Sequence, residues 1–271
     1  MTVGVAQTAM LKVLTPRREI SGGLKTGAGV LIAGLIFLFW CVVTYGGLVD
    51  TTFCPPPHQV LLALWKVIAD GSLFKHAWSS LVVINLGFFL SSLIAIPLGI
   101  MMGSFRIVAA GLDPVVNFTR YLPVTSMIPL LILWIGIGLE EKIAVIFIGT
   151  FFQQLVMFAD VSAQVPDELF NAGYTLGASR RQVVMKVLLP ATLPGVMDVL
   201  RVTMGWAWTY LVVAELVASN SGLGYMSMQA MRGLHADLIF VAILVIGFLG
   251  MVTDQIFKWI KAVWLPWAGQ R

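Results

Sequence analysis

The chain has 271 residues, of which 59% are hydrophobic and 11% charged, with a formal net charge of +4. A water-soluble domain carries about 25% charged residues, so the composition excludes a soluble globular protein and points to an all-α polytopic membrane protein. Cys41 lies within an apolar run and Cys54 beyond it, and His58, His76 and His235 are scattered. That excludes a disulfide framework and gives no metal-ligand spacing.

Residues 1–27 lack an apolar core followed by a small-residue cleavage site, so they are expected to be a retained N-terminal segment rather than a signal peptide. The remainder, 28–271, is expected to be a single transmembrane domain. Crossing the hydrocarbon takes about 20 mostly apolar residues, and six segments qualify: 28–49, 78–103, 115–139, 143–163, 196–218 and 238–258. Between the first two, residues 50–77 are expected to lie outside the membrane; Pro55-Pro56-Pro57 stiffens their entry, and His58 to Ile68 reads as a short amphipathic surface helix. Such a helix fits either a docking platform or a lid over the bundle. In the second span Ser91, Ala95, Gly99 and Gly103 recur every four residues. This small-residue stripe lets another helix approach closely, within the chain or in a second copy.

Pro114, Pro123 and Pro129 interrupt the third span. The prolines free backbone groups around Thr125 and Ser126, and Arg120 sits one turn earlier. A half-helix start with hydroxyls and a cation suits an anion, although a proline kink also shapes a bundle without binding anything. In the fourth span Thr150, Gln153, Gln154 and Met157 are spaced to share one helical face. Pore lining and interhelical hydrogen bonding both explain such a patch. Asp198 and Arg201, three apart in the fifth span, are expected to neutralise each other. Trp206, Trp208, Thr209 and Tyr210 follow as core or as cargo contacts. Glu215 has no partner on its own helix, and a gating or structural role through a neighbouring helix or the turn Gly222-Leu223-Gly224 is expected.

Between the fourth and fifth spans lies a polar insert, 164–190, reading PDELFNAGYTLGASRRQVVMKVLLP from Pro166. Pro166-Asp167-Glu168 is a helix start with acids in the first turn. Gly177 interrupts the pattern, Ala178-Ser179 opens a second helix carrying Arg180, Arg181 and Lys186, and Leu188-Leu189-Pro190 is expected to end it. Two short helices meeting at a glycine make a knob shaped for a partner's cleft. The basic residues set the orientation. With the N-terminus in the cytoplasm, eleven of the seventeen Lys and Arg lie in inside segments and four outside, with Arg120 and Arg201 embedded. The positive-inside rule then places both termini and the insert in the cytoplasm, and residues 50–77 on the far side. Trp259, Trp264 and Trp267 among Lys258 and Lys261 read as an interfacial anchor.

The insert resembles the coupling loop of ABC-importer permeases, whose pattern runs Glu-Ala-Ala, three residues, Gly, nine residues, Ile, one residue, Leu-Pro. Asn171-Ala172-Gly173 stands for Glu-Ala-Ala, Gly177 for the glycine, Val187 for Ile, and Leu189-Pro190 closes the motif. Asn171 replaces the acid and Gly173 the second alanine, while Glu168 lies one turn upstream. The likeness extends over residues 55–267, through Asp113-Pro114, Leu122-Pro123, Ile128-Pro129-Leu130, Ile132-Leu133-Trp134-Ile135-Gly136, Leu176-Gly177-Ala178-Ser179, Ala214-Glu215 and Ser221-Gly222-Leu223-Gly224-Tyr225. These tracts resemble the binding-protein-dependent subfamily serving nitrate, bicarbonate, taurine and alkanesulfonates. The resemblance implies a type I ABC-importer (MetI-like) permease fold, a homodimer in the bacterial inner membrane, two ABC ATPase subunits and a periplasmic substrate-binding protein. It implies no cofactor in this chain, ATP and Mg being held by the ATPase subunits, and neither a catalytic residue nor a nucleic-acid partner.

Two other function classes were open. A membrane-embedded zinc protease needs His-Glu-x-x-His, which does not occur, and no serine or carboxylate pair stands out. A secondary transporter or channel working without an ATPase would more often show internal repeats or a repeated filter, and would leave the insert unexplained. The chain has no Gly-x-x-x-x-Gly-Lys-Ser/Thr motif, so an ATPase must be a separate chain.

Overall fold

The computed structural model describes residues 21–217 and 219–269, which leaves residues 1–20 of the expected N-terminal segment outside the described residues. The chain divides into two compact units between Val60 and Leu61. The first contains α1 (Gly22–Tyr45), which carries apolar side chains around its whole circumference, as a lipid-bathed span does. Beyond it the Trp40 indole donates to the Pro55 carbonyl at 3.2 Å, and the Tyr45 hydroxyl meets His58 Nδ1 at 2.8 Å. Helix α2 (Pro57–Ala69) is the expected amphipathic element after the proline run.

The second unit begins with α3 (Ser72–Ser104). Its start is set by Gly71, at φ +75°, and by Asp70, whose carboxylate accepts the Ser72 amide at 2.8 Å. Hydrogen bonds from the Ser72 hydroxyl and amide hold the Asp70 carboxyl below its ordinary value, so it stays charged as a first-turn acceptor. Then come α4 (Arg106–Thr119), α5 (Val124–Ile135), α6 (Leu139–Ala163), α7 (Asp167–Thr175), α8 (Arg180–Val183), α9 (Leu189–Val217), α10 (Leu223–Arg232) and α11 (Ala236–Trp264). Among the described residues, five helices are long and apolar enough to cross a membrane, and six if α4 and α5, bent by 94° between them, are taken as one span.

Helices α3 and α6 form the central pair, and the reason is a lack of side chains. A Cβ on Gly87 would lie 2.8 Å from Ile146 Cβ, on Gly99 2.6 Å from Phe158 Cβ, and on Gly103 2.1 Å from the Ala159 carbonyl oxygen. The stripe of Ser91, Ala95, Gly99 and Gly103 therefore serves packing within the chain. Around this seam Ile84, Ile146, Ala207 and Leu211 are fully buried on one side, and Ala95, Leu155 and Phe158 on the other.

Three expectations are corrected. The third span begins earlier than residue 115 and is not one helix: α4 and α5 meet at 94° across residues 120–123. Pro123 alone marks the break. It bars helical backbone from Leu122 and tolerates its own missing donor at the start of α5, whereas Pro114 and Pro129 lie inside helices. Nor does Leu189-Pro190 end a helix, because the chain is helical from Arg180 to Val217. A π-turn at Val184–Leu188 widens the backbone so that the Leu189 amide reaches Val184, and Pro190 enters where the normal ladder is already relaxed. Finally, Asp198 and Arg201 do not pair with each other. Arg201 binds Asp254, and Lys261 binds Asp198 at 2.6 Å, both across to α11. Partners on a packed neighbour approach head-on and displace the oblique pairing along one helix.

Candidate functional site

The insert forms a defined knob. Helix α7 starts after Pro166 with Asp167 and Glu168 in its first turn and ends at Gly177, whose φ of +76° suits glycine. Ser179 then opens α8 with a capping box: the Gln182 amide donates to Ser179 Oγ, and Gln182 Oε1 accepts the Ser179 amide at 2.8 Å. Val183 and Leu188 are buried beneath. A Cβ on Gly173 would stand 3.3 Å from Val183 Cγ2, so the glycine at this motif position packs closely on the second helix. Glu168, Asn171, Ala172, Arg180 and Arg181 face out, while Ala178, Leu189 and Pro190 are half-buried at the base. The tip is apolar: Leu176 is 87% exposed, Tyr174 50% and Leu169 45%. A cavity of about 520 Å³ opens at the foot of the knob, between Glu168, Pro190 and Trp267.

A second constellation lies at the 94° bend, where a cavity of about 370 Å³ gathers Arg120, Thr125, Gln153 and Tyr210 from the break, α5, α6 and α9. Tyr210 reaches it because Gly149 has no side chain; a Cβ there would sit 2.7 Å from the Tyr210 ring. The Arg120 guanidinium lies 4.9 Å over the Tyr121 ring and donates to its hydroxyl at 3.1 Å. Its Nε is buried without a protein partner.

The other expected pathway residues do not join this cavity. Gln153 and Gln154 are adjacent and so point about 100° apart on α6, which splits the predicted patch. Gln154 is fully buried, accepting from Ser91 at 2.8 Å and donating to Ser92 at 3.0 Å and Thr203 at 3.2 Å. Thr150 is buried and bonded to the Ile146 carbonyl, and Met157 packs into the core. Trp208 is 5% exposed in the core, its indole donating to Thr253 at 3.3 Å. Ser126 is exposed outside the cavity lining.

At the end of the bundle opposite the insert, Glu215 closes a latch. It is 1% exposed; one carboxylate oxygen accepts the Ser80 hydroxyl at 2.7 Å, the other the Gly224 amide at 2.8 Å. Three successive loop amides are captured: Gly222 by His76 Nδ1 at 3.2 Å, Leu223 by Ser80 Oγ at 2.9 Å, Gly224 by Glu215. Lys142 holds the same loop through Ser219 at 2.7 Å, and Ser79 meets Ser221 at 2.8 Å. Gly222 has φ +121°, and a Cβ there would fall 2.2 Å from the Glu215 carboxyl carbon. Sequence reasoning found Glu215 and the glycines but missed Ser80, His76, Ser79 and Lys142. The signal available was His76, Ser79 and Ser80 crowded into the second and third turns of a mostly apolar span.

A helical membrane bundle with a broken span, a polar cavity at the break and a capped knob between two spans has the makings of a transport subunit. Residues 95–263 match the family described as the binding-protein-dependent transport system inner membrane component, and the chain belongs to that family. It is 34% identical to the taurine transport system permease protein TauC of Escherichia coli over 275 residues, covering all of this chain and 99% of that one. It is 32% identical to the putative aliphatic sulfonates transport permease protein SsuC of Bacillus subtilis, over 93% of this chain and 90% of that protein. In fold it is similar to an inward-facing MetNI methionine ABC transporter chain, with a TM-score of 0.59 and 22% identity over 71% of this chain and 97% of that one. The chain is thus a multi-pass inner-membrane permease component of an ABC importer, and these likenesses lend the secondary-transporter alternative no support.

Proposed function

We propose that this chain forms, as a homodimer, the pathway of an importer for small organic sulfonates, which a periplasmic binding protein delivers and two ATPase subunits drive. The similarity to permeases named for taurine and aliphatic sulfonates supports the cargo class. The observation that carries the coupling reading is the knob: a rigidly capped helix pair presenting bare Leu176 and Tyr174 beside Arg180 and Arg181. Exposed apolar side chains rimmed by charge mark a protein-binding surface. In this reading residues 164–190 face the cytoplasm, ATP and Mg are held by the ATPase subunits, and both termini are cytoplasmic, as the basic residues favour. Residues 50–77 and the Glu215 latch then face the periplasm, and the latch holds the outer end shut until ATP closes the ATPase dimer.

The test is reconstitution of the permease with its ATPases in proteoliposomes. Taurine or an alkanesulfonate, with the binding protein, is expected to stimulate ATP hydrolysis and drive uptake. Arg180→Glu with Arg181→Glu is expected to lose the ATPases on purification. Retention of fully coupled ATPases by that double variant contradicts the coupling assignment.

A further inference from the structure

We infer that the cavity at the α4–α5 bend is a transit site for the cargo's sulfonate group, built for an alkanesulfonate in preference to the zwitterion taurine. This rests on the importer reading above and adds to it a site and an order of preference. Arg120 carries the argument. Its guanidinium lies over Tyr121, yet its Nε–H is buried with no protein acceptor. Buried donors are almost always satisfied, and an orphan on a cation calls for an anion. Acceptance from the fork of an Arg is geometrically suited to a sulfonate, which like a phosphate presents oxygens in a tripod. The Thr125 hydroxyl, the Gln153 amide and the Tyr210 phenol supply further neutral donors around the same space.

The rest of the lining sets the preference. Leu122, Val124, Met127, Ile148 and Phe152 make its apolar wall, and no carboxylate is among the lining residues. An alkyl tail gains on entering such a wall, each buried CH₂ being worth about fourfold in affinity. The ammonium of taurine would be stripped of water there with no counter-charge to receive it.

The test reads the cavity directly, in the complete permease–ATPase complex with Cys41 and Cys54 replaced by alanine; neither lines the cavity. Thr125→Cys is modified with the anionic 2-sulfonatoethyl methanethiosulfonate and with its cationic trimethylammonioethyl counterpart, each rate normalised to that of a free thiol. The anionic reagent is expected to gain at least about fivefold over the cationic one. Arg120→Gln should abolish that ratio and Arg120→Lys restore most of it. Butanesulfonate should protect the cysteine at roughly tenfold lower concentration than taurine. Gln153→Cys serves as a second position should Thr125→Cys fail to assemble. Equal normalised rates, or protection by taurine as good as by butanesulfonate, overturn the inference. Protection without any sulfonate uptake would defeat the importer's cargo assignment alone. Uptake with an unchanged rate ratio in Arg120→Gln would defeat this site alone.

Discussion

Replacement of Glu215 by glutamine changes one atom and tests the latch. Ser80 Oγ already accepts the Leu223 amide, so its hydroxyl proton has Glu215 as its acceptor. The other carboxylate oxygen accepts the Gly224 amide. A glutamine NH₂ turned toward the Gly224 amide meets a donor head-on; turned toward Ser80 it takes that hydroxyl's second lone pair and displaces the hydroxyl proton from its acceptor. Either way one buried donor is left unpaired, a cost of about 1–3 kcal/mol. Glu215→Ala loses both bonds and leaves a void, about twice that cost. Gly222→Ala attacks the same place from the loop: φ +121° is a glycine conformation, and the new methyl would occupy the carboxylate's position. The expected order of thermal stability in nanodiscs is wild type, then Glu215→Gln, then Glu215→Ala and Gly222→Ala together at the bottom. Amide exchange at residues 222–224 should speed up in the same order. A glutamine variant with wild-type melting and exchange would refute the hydrogen-bond accounting.

Four further outcomes follow from the same geometry. Gln154→Leu strands the hydroxyls of Ser91 and Ser92, while Thr203 keeps its bond to the Val199 carbonyl, and should lower stability by about 1–3 kcal/mol while leaving the alkyl-chain preference of uptake unchanged. Gly103→Ala, whose methyl would meet the Ala159 carbonyl backbone at 2.1 Å, should abolish folded expression, as gel filtration of the detergent extract would report. Gly149→Ala should push the Tyr210 ring toward the bend cavity and shift cysteine protection at Thr125→Cys toward shorter alkanesulfonates. Arg201→Ala leaves Asp254 still paired with Lys258 at 2.7 Å, so stability should change by less than about 1 kcal/mol.

The spans were legible because hydrocarbon demands about 20 apolar residues in a row, a signal that survives any packing arrangement. The knob was legible for a related reason: a first-turn acid pair, a glycine and a serine cap act within a few residues of themselves. What escaped depended on distant neighbours. Arg201 chose Asp254 over Asp198 because α11 lies alongside, and nothing in the i, i+3 spacing reports that. Gln153 and Gln154 looked like one patch, yet one faces a cavity and the other a knot of hydroxyls from α3 and α9. The continuation of α9 through Pro190 was hidden because a π-turn leaves no compositional trace. Helix α10 went unforeseen for want of an apolar run, although the glycine turn that begins it was clear.

The knob's role comes down to one accessibility and proximity measurement at Leu176→Cys, in a background lacking Cys41 and Cys54. Leu176 is 87% exposed at the tip. The predicted result is a cross-link to the ATPase subunit in membrane vesicles, with no labelling of intact cells by a membrane-impermeant maleimide. Labelling from outside the cell, with no cross-link to any ATPase, would contradict it.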